Sequence, residues 1–330
     1  MPARHDAGMS TPEPGRTCPL HYHYGPAVFA DAPATASEVL YVVGGLYGNL
    51  PALRQVLALH ASESGTKRLV FNGDFNWFNL EPRLFEAINT LVLQHEALRG
   101  NVETELGGDD DAAGCGCGCA YPAWVGDGVV QRSNRILQRL RETARGFPDL
   151  GVRLAALPMW ARHDVGPLRL GIVHGDAQSL AGWGFAQEHL QDAAHRNTVV
   201  RWFEAAQVDA FACSHTCLPV FHGLRRAGQR EPAWVLNNGA TGMPNFRGDG
   251  AGLFTRIALR PFGGPPAARR HGVVQQGVHI DAIAVDSATP AWQAAFLRQW
   301  PAGSDAHLSY WQRICQGPDF SPEHALVTSP

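Results

Sequence analysis

Four residues of this 330-residue chain stand out for the chemistry they could do together. Asp74 closes "VFNGD", Asn101 closes "LRGN", His174 stands in "IVHGD" and His215 in "ACSHTC". Each follows a short apolar run that stops at a glycine or another small residue. In open α/β sheets, ligands bind in the crevice at the carboxyl ends of the strands. One carboxylate, one amide oxygen and two imidazoles would meet there from four separate strands. That donor set suits a divalent or trivalent zinc, manganese or iron ion. A single histidine at a strand end is most simply a satisfied structural group. Four such residues at the same ends of four strands are not explained by turn chemistry.

The elements that must position them alternate. "VLYVV" (39–43) precedes a helical pattern over 51–61, with Leu53, Val56, Leu57 and His60 at helical spacing and Pro51 in the first turn. "RLVFN" (68–72) precedes a second apolar stripe over 82–94, and "EALRGN" (96–101) closes the unit. A β-α-β-α-β series argues for largely parallel strands with helices packed on them. A polar loop is expected over 103–128 and an amphipathic helix over about 129–146. The stretch 153–176 reads as a hairpin ending at His174, 197–207 as a helix and 208–215 as a strand. "AWVLNNGA", "GLFTRIALR" and "GVHIDAIAV" then read as strands that pair antiparallel. Amphipathic pieces follow residue 286, with Trp300, Tyr310 and Trp311 as packing anchors. Before residue 37 the chain reads as an irregular arm, in which "HYHY" (21–24) is a short covering strand.

Composition narrows the function classes. A net charge of −3 and a charged fraction of 17% give no electrostatic reason to expect a nucleic-acid partner. The apolar runs are too short for a membrane span, and the first twenty residues lack the apolar core of a secretory signal. Seven cysteines, three of them in "GCGCGC" (Cys115, Cys117, Cys119), suit a reducing cytoplasm better than a disulfide framework. That cluster lacks the spacing of a structural zinc site and reads as a loop with incidental thiols. Asp109–Asp111 reads as solvated loop, Arg99 as a phosphate contact or a surface ion pair, and Asn49 as a turn or helix cap.

In order and spacing, the motifs between 38 and 260 resemble those of the calcineurin-like metallophosphoesterase superfamily. "GLYGNLPAL" is similar to its D-x-H block, "NGD" to G-D, "LRGNVE" to G-N-H-D/E, "VHGD" to the lone His and "SHTCLP" to G-H-x-H. "NNGATG" is similar to the segment that follows. The resemblance implies an α/β fold, a four-layer αββα sandwich. It divides the chain into an arm (1–36), the metallophosphoesterase-like domain (37–262) and a C-terminal strand and helical extension (263–330). It also implies two metal positions that share Asp74. One is complete, with Asp74, Asn101, His174 and His215. The other has Gly45, Tyr47 and Cys217 where the family has a carboxylate and two imidazoles. Glycine offers no ligand, a phenol of pKa about 10 binds ferric iron better than zinc, and a thiolate is a capable ligand. Val102 stands where many members have the histidine credited with protonating the leaving group.

The activity implied is hydrolysis of a phosphodiester or nucleotide-type ester by a metal-activated water, with one well-held ion. The substrate would be a small phosphate-containing molecule, and Asp74, Asn101, His174 and His215 would be the catalytic set. The alternative is a non-catalytic binding or sensing protein on the same scaffold.

If Tyr47 fills the second metal position, elemental analysis should find close to one metal per chain. The protein should show no tyrosinate-to-iron band in the visible region, and Cys217→Ser should keep its metal. Two tightly held ions, or a visible band abolished by Tyr47→Phe, would overturn this.

Overall fold

The apolar run at 39–43 has a simple cause: the strand it forms is buried on both faces. The computed structural model describes residues 14–108 and 116–329; the 109–111 run and Cys115 lie outside them. Strands β1 (Thr35–Ser37), β2 (Val39–Val43), β3 (Lys67–Asn72) and β4 (Glu96–Leu98) come first. Next come β5 (Trp160–Val165), β6 (Leu168–Val173), β7 (Ala210–Cys213), β8 (Pro219–Leu224) and β9 (Ala233–Asn238). Last are β10 (Ala251–Ala258), β11 (Arg269–Gln275), β12 (Val278–Asp286) and β13 (Leu326–Thr328). Six strands form one sheet in the order β11-β12-β10-β2-β3-β4, and seven form the other in the order β1-β5-β6-β7-β9-β8-β13.

Side-chain alternation makes the layers. Leu40, Val42 and Val70 point between the sheets, where they pack with Leu170, Ile172, Ala212 and Leu236. Tyr41, Val43 and Phe71 point the other way. They are covered by α1 (Leu50–Ser62), α2 (Pro82–Val92) and the helical pieces packed beside them. On the outer face of the other sheet, Val173, Phe211 and Val235 bury against Val199 and Phe203. Helix, sheet, sheet and helix form the four-layer αββα sandwich. Each fully buried large apolar side chain stabilises it by roughly 1.5–3 kcal/mol.

Two pairs of parallel neighbours matter for the site. β3 and β4 pair in one sheet, and β6 and β7 pair in the other. β3, β4, β6 and β7 thus deliver their carboxyl ends to one side of the sandwich.

Several expectations need correction. The segment 101–107 is not loop but a helix, α3 (Asn101–Gly107). It forms because Glu103 reaches back to accept from the Gly100 N–H at 3.1 Å, a capping interaction. A longer helix follows, α4 (Asp127–Ala144). Residues 153–155 close helix α5 (Pro148–Ala155) rather than opening the hairpin, which is β5–β6. After the short α6 (Gln187–Gln191), α7 (Ala193–Ala206) begins earlier than its apolar pattern suggested, with the Asp192 side chain accepting from Ala194 N–H as its cap. The later strands are not uniformly antiparallel, because β9 lies parallel to β7. "HYHY" forms a 3-10 turn over 20–22 and a single bridge from His23 to Ser179, not a strand. The chain ends with α8 (Pro290–Gln299), α9 (Asp305–Gln316) and β13. Trp300 is buried and donates to the Phe78 carbonyl, and Trp311 stacks on Phe296. Asn49 caps α1 by accepting from Ala52 N–H. Among the described residues no helix is long and apolar enough to cross a membrane.

A buried charged cluster ties this sheet together away from the strand ends. Arg256, 1% exposed on β10, donates to both oxygens of Glu63, and Tyr41 donates to Glu63 at 2.8 Å. Asp281 on β12 faces Arg256 at 3.6 Å. Burial raises the Glu63 carboxyl, but the hydrogen bonds from Arg256 and Tyr41 outweigh it and hold its pKa below the ordinary value. Arg256→Met leaves Glu63 without its cation, while Asp281 keeps Arg269, and should cost about 3–5 kcal/mol in urea unfolding. Glu63 adds stability above its unfolded pKa of about 4.3, and this is lost as pH falls through the lowered folded value. The acid limb of a stability–pH curve should therefore be shallower in Arg256→Met. A loss under about 1 kcal/mol would mean the cluster is not holding the sheet.

Candidate metal centre

Asp74 follows β3, Asn101 opens α3 just after β4, His174 follows β6 and His215 lies two residues past β7. All four are buried, with His174 and Asn101 each 1% exposed. The turn before Asp74 admits only glycine. Gly73 has φ +77, and a Cβ there would lie 2.6 Å from the Gly100 backbone and from His174 Nδ1. That close approach is what brings the ends of the two sheets together.

The donors converge. His174 Nε2 lies 3.3 Å from Asp74 Oδ2, 3.2 Å from Asn101 Oδ1 and 3.2 Å from His215 Nδ1. One ligand atom from each of Asp74, His174 and His215 falls within 4.8 Å of the others. The remaining atoms of these side chains are committed elsewhere. His174 Nδ1–H donates to the Asn72 carbonyl at 2.9 Å, and His215 Nε2–H donates to the Cys119 carbonyl at 3.1 Å. Asn101 Nδ2 donates to the Cys117 carbonyl at 2.9 Å, which turns Oδ1 inward. The inner nitrogens, His174 Nε2 and His215 Nδ1, therefore face each other beside a carboxylate and an amide oxygen. A carboxylate, an amide oxygen and two imidazoles around one point suit a metal ion among them. The backbone carbonyls behind the imidazoles are the outer partners that metal-binding histidines use. The residues fit zinc, manganese or iron.

Burial lowers the His174 imidazole, but the Asp74 carboxylate outweighs it and raises its pKa. Burial raises the Asp74 carboxyl, but the neighbouring His174 and His215 outweigh it, and its pKa lies below the ordinary range. Burial and the His174 charge lower the His215 imidazole to about 4, which leaves it neutral and free to ligate. Beneath Asp74 lies Glu103, fully buried and missed as a site residue by sequence reasoning. Its carboxylate accepts from the backbone N–H groups of Asp74 (2.7 Å), Asn76 (3.1 Å) and Gly100 (3.1 Å). Burial and the Asp74 charge raise it to about 7. Its sequence signals were its place three residues after Gly100, a helix-cap spacing, and its place at the acidic position of "LRGNVE".

The second position is differently built. Tyr47 is 3% exposed, and its hydroxyl lies 2.7 Å from Cys217 Sγ. The Cys217 thiol donates to the His215 carbonyl at 3.2 Å, so the tyrosine hydroxyl donates to sulfur. A Cβ on Gly45 would sit 3.0 Å from the Tyr47 ring and from its hydroxyl. The ring thus occupies the space that a longer side chain at 45 would need. Burial raises both the Tyr47 phenol and the Cys217 thiol. No other His, Cys, Asp or Glu joins the metal cluster among the described residues.

Above these residues lies a cavity of about 190 Å³. Trp77, Tyr121, Trp183 and Tyr310 line it with Arg313, together with Asp74, Asn101 and His215. Trp183 meets His215 edge-on, ring centroids 5.5 Å apart, and donates to the Cys119 carbonyl. Tyr310 is therefore more than the packing anchor expected. Arg99, by contrast, donates to the Ala155 carbonyl and does not line the cavity. None of the aromatic residues carried a sequence signal, because they come from four unrelated segments. The "CGC" loop also has a different part from the one expected: its Cys117 and Cys119 carbonyls orient Asn101 and His215.

Neither a protein-family model nor a curated protein matches the sequence. Solved structures do. A hypothetical protein from Pyrococcus horikoshii OT3 is similar over 87% of this chain and 100% of its own, at 14% identity and a TM-score of 0.54. A metallophosphoesterase from Sphaerobacter thermophilus is similar over 82% of this chain and 98% of its own, at 16% identity and a TM-score of 0.51. At these identities the likeness establishes the fold.

Glu103 generates a prediction of its own. Glu103→Ala removes the acceptor that holds the Asp74, Asn76 and Gly100 amides. Metal affinity measured by titration calorimetry should fall roughly 10–100-fold, as for other outer partners of metal ligands. Unchanged affinity would mean that the Asp74 turn holds its shape alone.

Proposed function

Because the chain has the calcineurin-like metallophosphoesterase fold, we propose that it is a metal-dependent hydrolase of a phosphodiester or nucleotide-type ester, working with one well-held ion. The observation that carries this reading is the convergence of His174 Nε2 and His215 Nδ1, 3.2 Å apart, beside Asp74 and Asn101. In this reading Asp74, Asn101, His174 and His215 hold zinc, manganese or iron. Such an ion polarises a phosphoryl oxygen and lowers the pKa of a bound water from about 15.7 towards 7.

The residues around it narrow the substrate. Val102, buried at the cavity wall, has no proton to give a leaving group. General-acid help is worth roughly 10²–10⁴-fold, so esters whose leaving group is stable as an anion are favoured. The aromatic lining favours an organic part that is flat, such as a nucleobase or an aryl ring. Asp74 is the one carboxylate among the cavity-lining residues, so little negative charge opposes a phosphate.

The filled second position favours, to its own extent, a binding or sensing protein that takes up metal and ligand without turnover. One experiment separates the two. Purified protein, stripped by chelator and reloaded with manganese, zinc or ferrous iron, is assayed on phosphomonoesters, aryl and nucleotide phosphodiesters and dinucleoside polyphosphates. The expected result is diester turnover lost with the metal, restored on reloading and absent in Asp74→Asn. Ligand binding with no turnover under any metal would support the binding protein instead.

A further inference from the structure

The C-terminal helix α9 brings a cation to this cavity. Arg313 is half-buried and lines the cavity together with Tyr310, one turn earlier on the same helix. Its Nη2 donates to the Cys217 carbonyl at 2.7 Å and its Nε to the Pro244 carbonyl at 3.1 Å. Two carbonyls thus fix the plane of the guanidinium, and both belong to loops at the edge of the site. Among the described residues Nη1 has no hydrogen-bond partner, and no carboxylate lies within ion-pair distance of Arg313. The other cavity-facing charge, Asp74, is committed to the metal cluster. An arginine anchored through two nitrogens, open on the third and unpaired in charge is arranged to receive an anion.

Its position gives the anion a place. Arg313 holds the backbone of Cys217, whose sulfur bonds the Tyr47 hydroxyl. Tyr47 and Cys217 stand where a second metal ion would have its ligands, and the ring fills that space. A phosphate held at the complete metal position would then lack the second positive charge of a two-ion site. We propose that Arg313 supplies it, as a binding residue that takes a phosphate oxygen and replaces the second cation's electrostatic role. The inference rests on the hydrolase reading for the site, but it concerns a residue of the C-terminal extension, outside the motif-bearing segment. Asp74 at −1, one divalent ion and Arg313 leave the cavity with net positive charge, suited to a phosphodiester or a phosphomonoester. The planar guanidinium can offer two parallel N–H groups to an anion, which lysine cannot.

The test measures binding, not only turnover. Inorganic phosphate is titrated calorimetrically into wild-type, Arg313→Met and Arg313→Lys protein, each metal-loaded and metal-free, with metal content measured in parallel. Metal content should be equal in all three. Phosphate affinity should fall roughly 10–150-fold in Arg313→Met, the range for a hydrogen bond to a charged group. Arg313→Lys should lie between, because it keeps the charge and loses the fork. The wild-type preference over Arg313→Met should persist without metal. Arg313→Lys also guards against loss of folding, since the lysine ammonium can still donate to a carbonyl. Equal phosphate affinity in wild type and Arg313→Met, with both folded by circular dichroism, would overturn the proposal. Arg313-dependent phosphate binding in a protein that turns over no ester would sink the hydrolase reading and leave this one standing.

Discussion

Two imidazoles, a carboxylate and an amide oxygen are crowded around one buried point, and much of the structure is arranged to hold them there. Each donor is held from behind: His174 by the Asn72 carbonyl, His215 by that of Cys119, and Asn101 by that of Cys117. Ser214 adds to this by donating to the Asn72 carbonyl as well. The outer bonds fix which nitrogen of each ring carries the proton. With the rings so fixed, their inner nitrogens face the same point as Asp74 and Asn101.

The two sheets make this possible because each contributes one parallel pair. β3 and β4 deliver Asp74 and Asn101, while β6 and β7 deliver His174 and His215. The sheets can approach only where nothing larger than hydrogen stands at Gly73. Packing on the far side then holds the pairs in register, through the apolar layer between the sheets and the Arg256–Glu63 cluster. The geometry of four side chains is thus a property of the whole sandwich.

Beside the candidate metal cluster stands a hydrogen-bonded pair. Tyr47 and Cys217 satisfy each other, and the tyrosine ring takes up the volume beside Gly45. The aromatic lining and the arginine of α9 surround the same space.

Much of this was legible in the sequence, and for a physical reason. A short apolar run followed by a glycine and a polar residue marks a strand end wherever it occurs, so Asp74, Asn101, His174 and His215 could be read one motif at a time. The helix after β2 and the layered α/β architecture followed from periodicity in the same way. The partners of these residues were not legible. Glu103 looked like loop because its helix is only seven residues long and its capping role depends on amides from another strand's turn. The parallel pairing of β7 with β9 depends on where β8 folds, which local pattern does not encode. Trp77, Tyr121, Trp183 and the Tyr310–Arg313 pair of α9 lie far apart in the chain, with no spacing to connect them. Sequence by itself determined which atoms could ligate, because that is a property of residue type and local backbone. Only tertiary structure decided what surrounds them, because a cavity wall is made of residues that share nothing except the space they enclose.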